Sequence, residues 1–381
     1  MPSTSSQPKP TALRIGVIGC GNVLSAYRMP LELLRARGEA DVRLACGRKT
    51  QRGNASAQLG PVPFVTDAKA VLESPEIDLV LILTSMDQHA GLAKAALEAG
   101  KHVVVEKPMA IRLDDAHQLV DLAQRTGHLL VCAPFTPLSP TFQTIAQRVR
   151  KGEIGKPCSA RARYGWAGPD WNEWFYRPGG GCLFDLGVYC LTSLTALLGP
   201  ALNVTAMAGI AIPQREIAGR TVTVQAEDNA QVLLDFGSGT FAVVTTGFTL
   251  QQYRTPALEI YGTTGTIQML GDDWDPEGYE LWQNAVGAWQ LFKETTPEWS
   301  WTDGLRHAVE CIRTGRKPIV TPEHSRHVLE IMLRAQDAAR DGRTRALETR
   351  FDPLVVESYS QSMPGQAHLV HDRSRAHHTT A

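Results

Sequence analysis

Residues 78–107 read "DLVLILTSMDQHAGLAKAALEAGKHVVVEK". Two apolar runs, "DLVLIL" (78–83) and "HVVVE" (102–106), enclose a segment that reads as a helix. A strand without polar alternation is covered on both faces, and such strands joined by helices form a parallel sheet. Working outward, "RIGVIG" (14–19), "VRLAC" (42–46) and "HLLVCA" (128–133) read as further strands of that sheet. Before the last of them, "LDDAHQLVDLAQRTG" sets Ala116, Leu119, Val120 and Ala123 on one helical face. Asp114 and Asp115 lie near its start and Gly127 just past its end, the usual helix signals. Residues 12–134 are therefore expected to form a doubly wound α/β domain of the Rossmann type.

The texture changes after a helical segment, "LSPTFQTIAQRVRK" (138–151). "CSARARYGW", "TVTVQAE", "NAQVLLDFGSGTFAVVTTGF" and "ALEIYGTTGTIQML" are strands with Gly-rich turns, of which 237–240 and 262–266 suit hairpins. Residues 135–363 are read as an α+β domain for substrate binding and oligomerisation, with a large, mostly antiparallel, open-faced sheet. Helices at 183–198, 303–314 and 323–341 are expected on one face of it. The other face is apolar and needs covering, so a homodimer or homotetramer is expected. The Ser/Pro-rich residues 1–11 and the tail 364–381 are read as disordered.

A length of 381 residues suits two domains. A formal net charge of -1 argues against a nucleic-acid partner. Seven cysteines without a Cys-x-x-Cys pair read as reduced, packed thiols of a cytoplasmic protein. No apolar stretch reaches membrane-spanning length, and "MPSTSSQPKPTAL" holds neither an apolar signal core nor a twin-arginine pair. His324-x-x-His327 has no third ligand at a suitable spacing, so no metal is expected.

The first strand runs into "GVIGCGNVLSAYRMP". Gly19 allows a tight turn and Gly21 lets backbone N–H groups approach a pyrophosphate, while Leu24 stands where a third glycine of the fingerprint would be. The second strand ends "ACGRKTQR", with no acid for a ribose 2′-hydroxyl. Arg48, with Lys49, can instead grip a 2′-phosphate, which favours NADP over NAD.

The strand at 102–106 ends in "EKPM", an acid, a base and a proline. Proline stops the ladder, and a Lys-Pro bond can be cis, so Lys107 can be aimed out of the strand end. The second constellation is "RPGGGCLFDLGVYCLTSLTALLG" (177–199). Its three glycines keep the backbone bare for a ligand, and Asp185 and Tyr189 follow at i, i+4 on one helical face. A phenol can exchange a proton with a substrate oxygen while hydride moves to or from a nicotinamide. Its ordinary pKa is about 10, so it needs a cation, and Lys107 is the natural candidate. Upstream, "RYGWAGPDWNEWFYRPGGG" concentrates aromatics. Trp166, Trp171 and Trp174 could wall a substrate pocket or simply pack domains or subunits together, and Arg163 could meet an anionic substrate.

"IGVIGCGNV", "EKPMAI" and "GGGCLFDLGVY" resemble the three signatures of the glucose–fructose oxidoreductase/inositol dehydrogenase/MocA (Gfo/Idh/MocA) family, in the right order over about residues 12–345. The resemblance implies a dinucleotide-binding domain, an open-faced α/β domain, an active site between them, and hydride transfer on sugars, cyclitols or related polyols. Gly19, Gly21, Asn22, Val23, Arg48, Lys49, Thr84, His89, Glu106 and Lys107 are expected at the cofactor. Lys107 matches the catalytic lysine and Asp185 the substrate-orienting acid. "TSMDQH" replaces the usual Thr-Pro-Asn start, and Tyr189 replaces the more frequent histidine as acid/base. Family members with tyrosine there are often NADP users. Two other readings keep the fold: a glycosidase that uses transient oxidation and elimination, and a non-catalytic dinucleotide-sensing regulator.

Overall fold

The computed structural model describes residues 12–272, 274–293, 296, 299–356 and 368–370. The expected disorder of 1–11 and 364–381 falls outside the described residues, except that 368–370 form a short strand. The chain divides into two compact units. One holds the residues up to Glu106 with Gln118–Val131 and Thr302–Pro318; the other holds Lys107–His117, Cys132–Trp301 and the residues from Ile319 onward.

The first unit is built on a six-stranded sheet of β1 (Leu13–Ile18), β2 (Ala40–Cys46), β3 (Phe64–Val65), β4 (Leu79–Ile82), β5 (His102–Val105) and β6 (Leu130–Cys132). The strand order is β3-β2-β1-β4-β5-β6 and the paired registers are parallel, the doubly wound arrangement the sequence predicts. Every residue of β4 is buried, as continuous apolar strands require when helices cover both faces. The helices are α1 (Arg28–Ala36), α2 (Arg52–Leu59), α3 (Lys69–Leu72), α4 (Met86–Glu98) and α5 (Leu113–Thr126). The predicted stripe of α5, Ala116, Leu119, Val120 and Ala123, is buried.

The second unit carries a ten-stranded sheet. Its strands are β7 (Pro157–Gly165), β8 (Asn203–Gly209), β11 (Asn229–Asp235), β12 (Phe241–Gly247), β13 (Leu258–Gly262), β14 (Gly265–Gly271), β15 (Pro276–Gln283), β16 (Trp289–Lys293), β17 (Arg345–Ala346) and β18 (His368–Val370). A separate hairpin pairs β9 (Gln214–Ile217) with β10 (Arg220–Thr223). The large sheet is antiparallel apart from the parallel pair β7–β12. The turns at 237–240 and 262–266 close hairpins as predicted.

Helix α6 (Pro140–Arg150) is capped by the Ser139 hydroxyl, which accepts from the Phe142 N–H. Helices α7 (Val188–Leu198) and α9 (Pro322–Asp341) lie on one sheet face, over the inward row of Val204, Ala206, Ala230, Val232 and Val244. The third helix expected there, α8 (Gly304–Thr314), packs instead against α1 and β5 of the first unit. The Thr302 hydroxyl donates to the Ala26 carbonyl and the Arg313 guanidinium to that of Glu39, which hold α8 in that place. Among the described residues no helix is long and apolar enough to cross a membrane.

Candidate active site

The strand order reverses between β1 and β4, and ligands of such sheets bind outside the carboxyl ends of the strands at that point. Gly19 turns there with φ of +101°, and a Cβ on it would lie 2.5–2.8 Å from the backbone of Leu83 and Thr84. Only glycine fits. At Gly21 a Cβ would meet nothing closer than the Gln51 amide at 3.4 Å, so the backbone stays open to close approach. Asn54 holds the loop from behind, donating to the carbonyls of Cys20 (3.0 Å) and Gly21 (2.9 Å). Asn22 and Val23 open a 3₁₀ turn, Asn22–Tyr27, in place of the first turn of an α-helix. Leu24, at the missing glycine, is fully buried. A tight, bare-backbone loop at the reversal point fits a dinucleotide.

At the end of β2, Arg48 and Lys49 are exposed, and the Gln51 side chain folds over Gly47 to accept from the Arg48 N–H at 2.9 Å. His89 is buried in α4 with Nε2 3.0 Å from the Thr84 carbonyl, so it clasps the turn that leaves β4. Glu106, at the end of β5, is buried and accepts from the Tyr27 hydroxyl at 2.8 Å. Sequence reading missed Asn54 and Tyr27, which act across a long chain separation, and Gln51, which acts three residues away but belongs to no motif.

In the second unit Lys107 meets Asp185. The ammonium donates to Asp185 Oδ1 and to the Asp185 main-chain carbonyl, both at 2.6 Å, with both side chains largely buried. It also lies 5.1 Å from the centroid of the Tyr189 ring, a cation–π distance. Tyr189 is buried and packs edge-on against Tyr164 at 5.4 Å. The Lys107–Pro108 peptide bond is cis. The three residues singled out for catalysis thus form one cluster.

Asp185 and Tyr189 do not share an unbroken α-helix. Residues Leu183–Gly187 form a π turn, with i→i+5 bonding, before α7 begins. The approach to it is tight. A Cβ on Gly180 would sit 2.5 Å from the Trp174 carbonyl, and one on Gly181, at φ of +98°, would collide with the Glu227 carboxylate. Those two glycines are kept bare by the protein's own atoms, whereas Gly179 faces open space. Burial raises the Glu227 carboxyl above the usual range, while donation from Gln336 and the Leu183 backbone opposes that rise.

Trp166 and Trp171 stack with centroids 5.6 Å apart and planes 24° off parallel. Trp174 stacks on Phe175 at 3.8 Å. Arg163 is not brought to the cluster. Alternation along β7 turns Tyr164 to the helix-covered side and Arg163 to the other, where its guanidinium lies over the Tyr253 ring. His324 and His327 are buried, and among the described residues no group of side chains could hold a metal ion. His324 Nε2 pairs with the Thr195 hydroxyl at 2.7 Å. His327 Nε2 accepts from the Ala201 N–H, so its Nδ1 carries the proton toward Thr349, whose hydroxyl donates to Glu330.

Comparison with known proteins adds to this geometry. Residues 13–133 match an oxidoreductase family with an NAD-binding Rossmann fold, and residues 142–268 match the GFO/IDH/MocA C-terminal domain. The chain is 26% identical over 342 residues to trans-1,2-dihydrobenzene-1,2-diol dehydrogenase of Macaca fuscata fuscata, covering 85% of this chain and 97% of the relative. It is 26% identical over 352 residues to D-apiose dehydrogenase of Paraburkholderia graminis, covering 87% and 89%. A solved levoglucosan dehydrogenase, in complex with NADH and levoglucosan, shares the fold with a TM-score of 0.80 at 19% identity, over 88% of this chain and 99% of that one.

Proposed function

Since this chain belongs to the Gfo/Idh/MocA family of oxidoreductases, we propose that it moves hydride between a nicotinamide dinucleotide, NADP in preference to NAD, and a hydroxyl-bearing carbon of a sugar, cyclitol or related polyol. The observation that carries this reading is the Lys107–Asp185–Tyr189 cluster. A relative that acts on a diol and another that acts on apiose support a polyol substrate. Gly19, Gly21, Asn22 and Val23 hold the pyrophosphate, and Arg48 with Lys49 reads the 2′-phosphate. Thr84, His89 and Glu106 shape the strand ends beside it. When bound, the nicotinamide supplies or accepts the hydride.

The protein's own residues manage the proton and the pose. In the oxidative direction the Tyr189 oxygen takes the proton of the reacting hydroxyl, and in reduction it returns it. A positive charge as near as that of Lys107 lowers the cost of negative charge on a phenolic oxygen or on the substrate oxygen. Asp185 fixes that ammonium and accepts from a neighbouring substrate hydroxyl. The protein is further proposed to act as a homodimer through the open face of its large sheet.

The test is oxidation of a panel of aldoses, cyclitols and anhydrosugars with each nicotinamide, followed by absorbance of the reduced ring. Reduction with at least one polyol, faster with NADP, is expected. Glycoside cleavage without net reduction would instead mark the chemistry as redox-neutral.

A further inference from the structure

The hairpin of β9 and β10 carries a buried ion pair that neither strand pattern nor motif marks. Arg215 pairs with Asp228 at 3.1 Å, and the Asp228 side chain is fully enclosed. One guanidinium nitrogen donates to the Ala167 carbonyl at 2.5 Å, and another reaches the Phe248 carbonyl at 2.7 Å. The same guanidinium lies 5.0 Å from the centroid of Tyr176, whose hydroxyl donates to the Pro169 carbonyl at 2.8 Å. The Ala218 N–H of the hairpin turn donates to the Asp170 carbonyl at 2.7 Å. Residues 167, 169 and 170 are thus each held by this hairpin or by the ring beneath it.

That segment is the connection between Trp166 and Trp171, which stack on each other. Gly168 turns within it at φ of +95°, with the Tyr176 hydroxyl 2.5 Å, the Phe248 Cβ 2.8 Å and the Arg215 guanidinium 2.9 Å from where a Cβ would be. Trp171 is half exposed, at 51%, so the stack reaches solvent. Two residues before Trp166, Tyr164 touches Tyr189. The chain thus runs within two residues from the ring that packs on Tyr189 into the stack, an aromatic wall along one stretch of sequence.

The cations whose contacts put them near this wall are committed. Lys107 is held by Asp185, Arg215 by Asp228 and two carbonyls, and Arg177 by Glu173 at 2.7 Å. Arg163 faces the other side of β7. An indole face stacks well on the C–H face of a sugar ring, and cations that already face a carboxylate hold an anionic ring less strongly than unpaired ones would.

We propose that Arg215 is a positioning residue that holds the Trp166–Trp171 stack as a platform for an uncharged sugar ring. This rests on the reading of the site as a polyol oxidoreductase, and names the substrate class within it.

The test combines kinetics with tryptophan fluorescence, using D-glucose, D-glucuronate and D-glucose 6-phosphate and then the best neutral sugar of the panel. Trp171→Ala should raise KM for the neutral sugar about tenfold and change kcat less, because a binding platform holds ground and transition states alike. Arg215→Ala should raise KM in the same way and red-shift the emission. Should that variant fail to fold, Arg215→Lys, which keeps the charge beside Asp228 but lacks the planar fork, must give the same KM shift in a smaller degree. The neutral sugar should perturb the wild-type emission, and Trp171→Ala should abolish that change even without cofactor. An unchanged KM in Trp171→Ala, or higher kcat/KM for glucuronate or glucose 6-phosphate than for every neutral sugar, overturns the platform while leaving the oxidoreductase standing. If no polyol is oxidised yet neutral sugars still perturb Trp171, the oxidoreductase reading fails and the platform survives.

Discussion

Lys107 illustrates what a single position can disclose. A strand that ends in acid, base and proline invites the question of where the base points, and the side chain is found bonded twice to Asp185 and lying over Tyr189. Sequence alone directed attention to all three residues, because Lys107 closes a strand and the other two share a helical spacing. Arg163 was less legible. Which face of β7 meets the helices depends on the packing of residues far along the chain, so alternation says only that Arg163 and Tyr164 part company. Arg48 supports a prediction at this scale. Its exposed guanidinium is free of any acid at the end of β2 that would repel a phosphate, and a charge-assisted bond of this kind contributes about 1.5–3 kcal/mol. Arg48→Ala should therefore lower kcat/KM with NADP by about tenfold to a hundredfold and spare the reaction with NAD. Equal losses with both cofactors would show that Arg48 does not read the 2′-phosphate.

Among the elements, the doubly wound sheet was plain from its unbroken apolar strands, and the hairpins from their glycines. The π turn at Leu183–Gly187 was hidden, because an i, i+4 pattern does not distinguish one inserted residue from a regular helix. The destination of α8 was hidden too, since an amphipathic helix declares that it needs a partner but not which one. Helix α9 carries a second prediction. Burial pushes the imidazole of His324 down to about 3 and that of His327 to about 4, the latter despite the neighbouring carboxylate of Glu330. Both are neutral when folded, whereas the unfolded chain takes up their protons below the ordinary value of about 6.5. Stability is therefore lost as pH falls from about 6.5 toward 4, by up to about 1.4 kcal/mol per pH unit for each fully titrating histidine. Thermal melts should show Tm dropping through this window, with a shallower drop in His327→Asn. An identical pH slope in that variant would exclude His327 as a source of the acid lability.

For the whole molecule, the open face of the large sheet is the feature that asks for a partner. Register puts Leu233 opposite Val243 and Gln231 opposite Met207, on the face away from α7 and α9. Met207 is 82% exposed and Phe241 49%, which is costly for large apolar side chains on a flat sheet. A homodimer burying this face should scatter as twice the 41.6 kDa chain, and Phe241→Asp with Met207→Asp should shift it toward monomer. A wild-type monomer at micromolar concentration would remove this part of the account. If Lys107 and Tyr189 manage charge and proton during hydride transfer, polyol-dependent reduction of NADP by Lys107→Ala and Tyr189→Phe will reveal it. Losses of about a hundredfold to ten-thousandfold in kcat are predicted, with NADP still bound by Tyr189→Phe, whose side chain is not among the residues assigned to the cofactor. Near-wild-type turnover by either variant would contradict it.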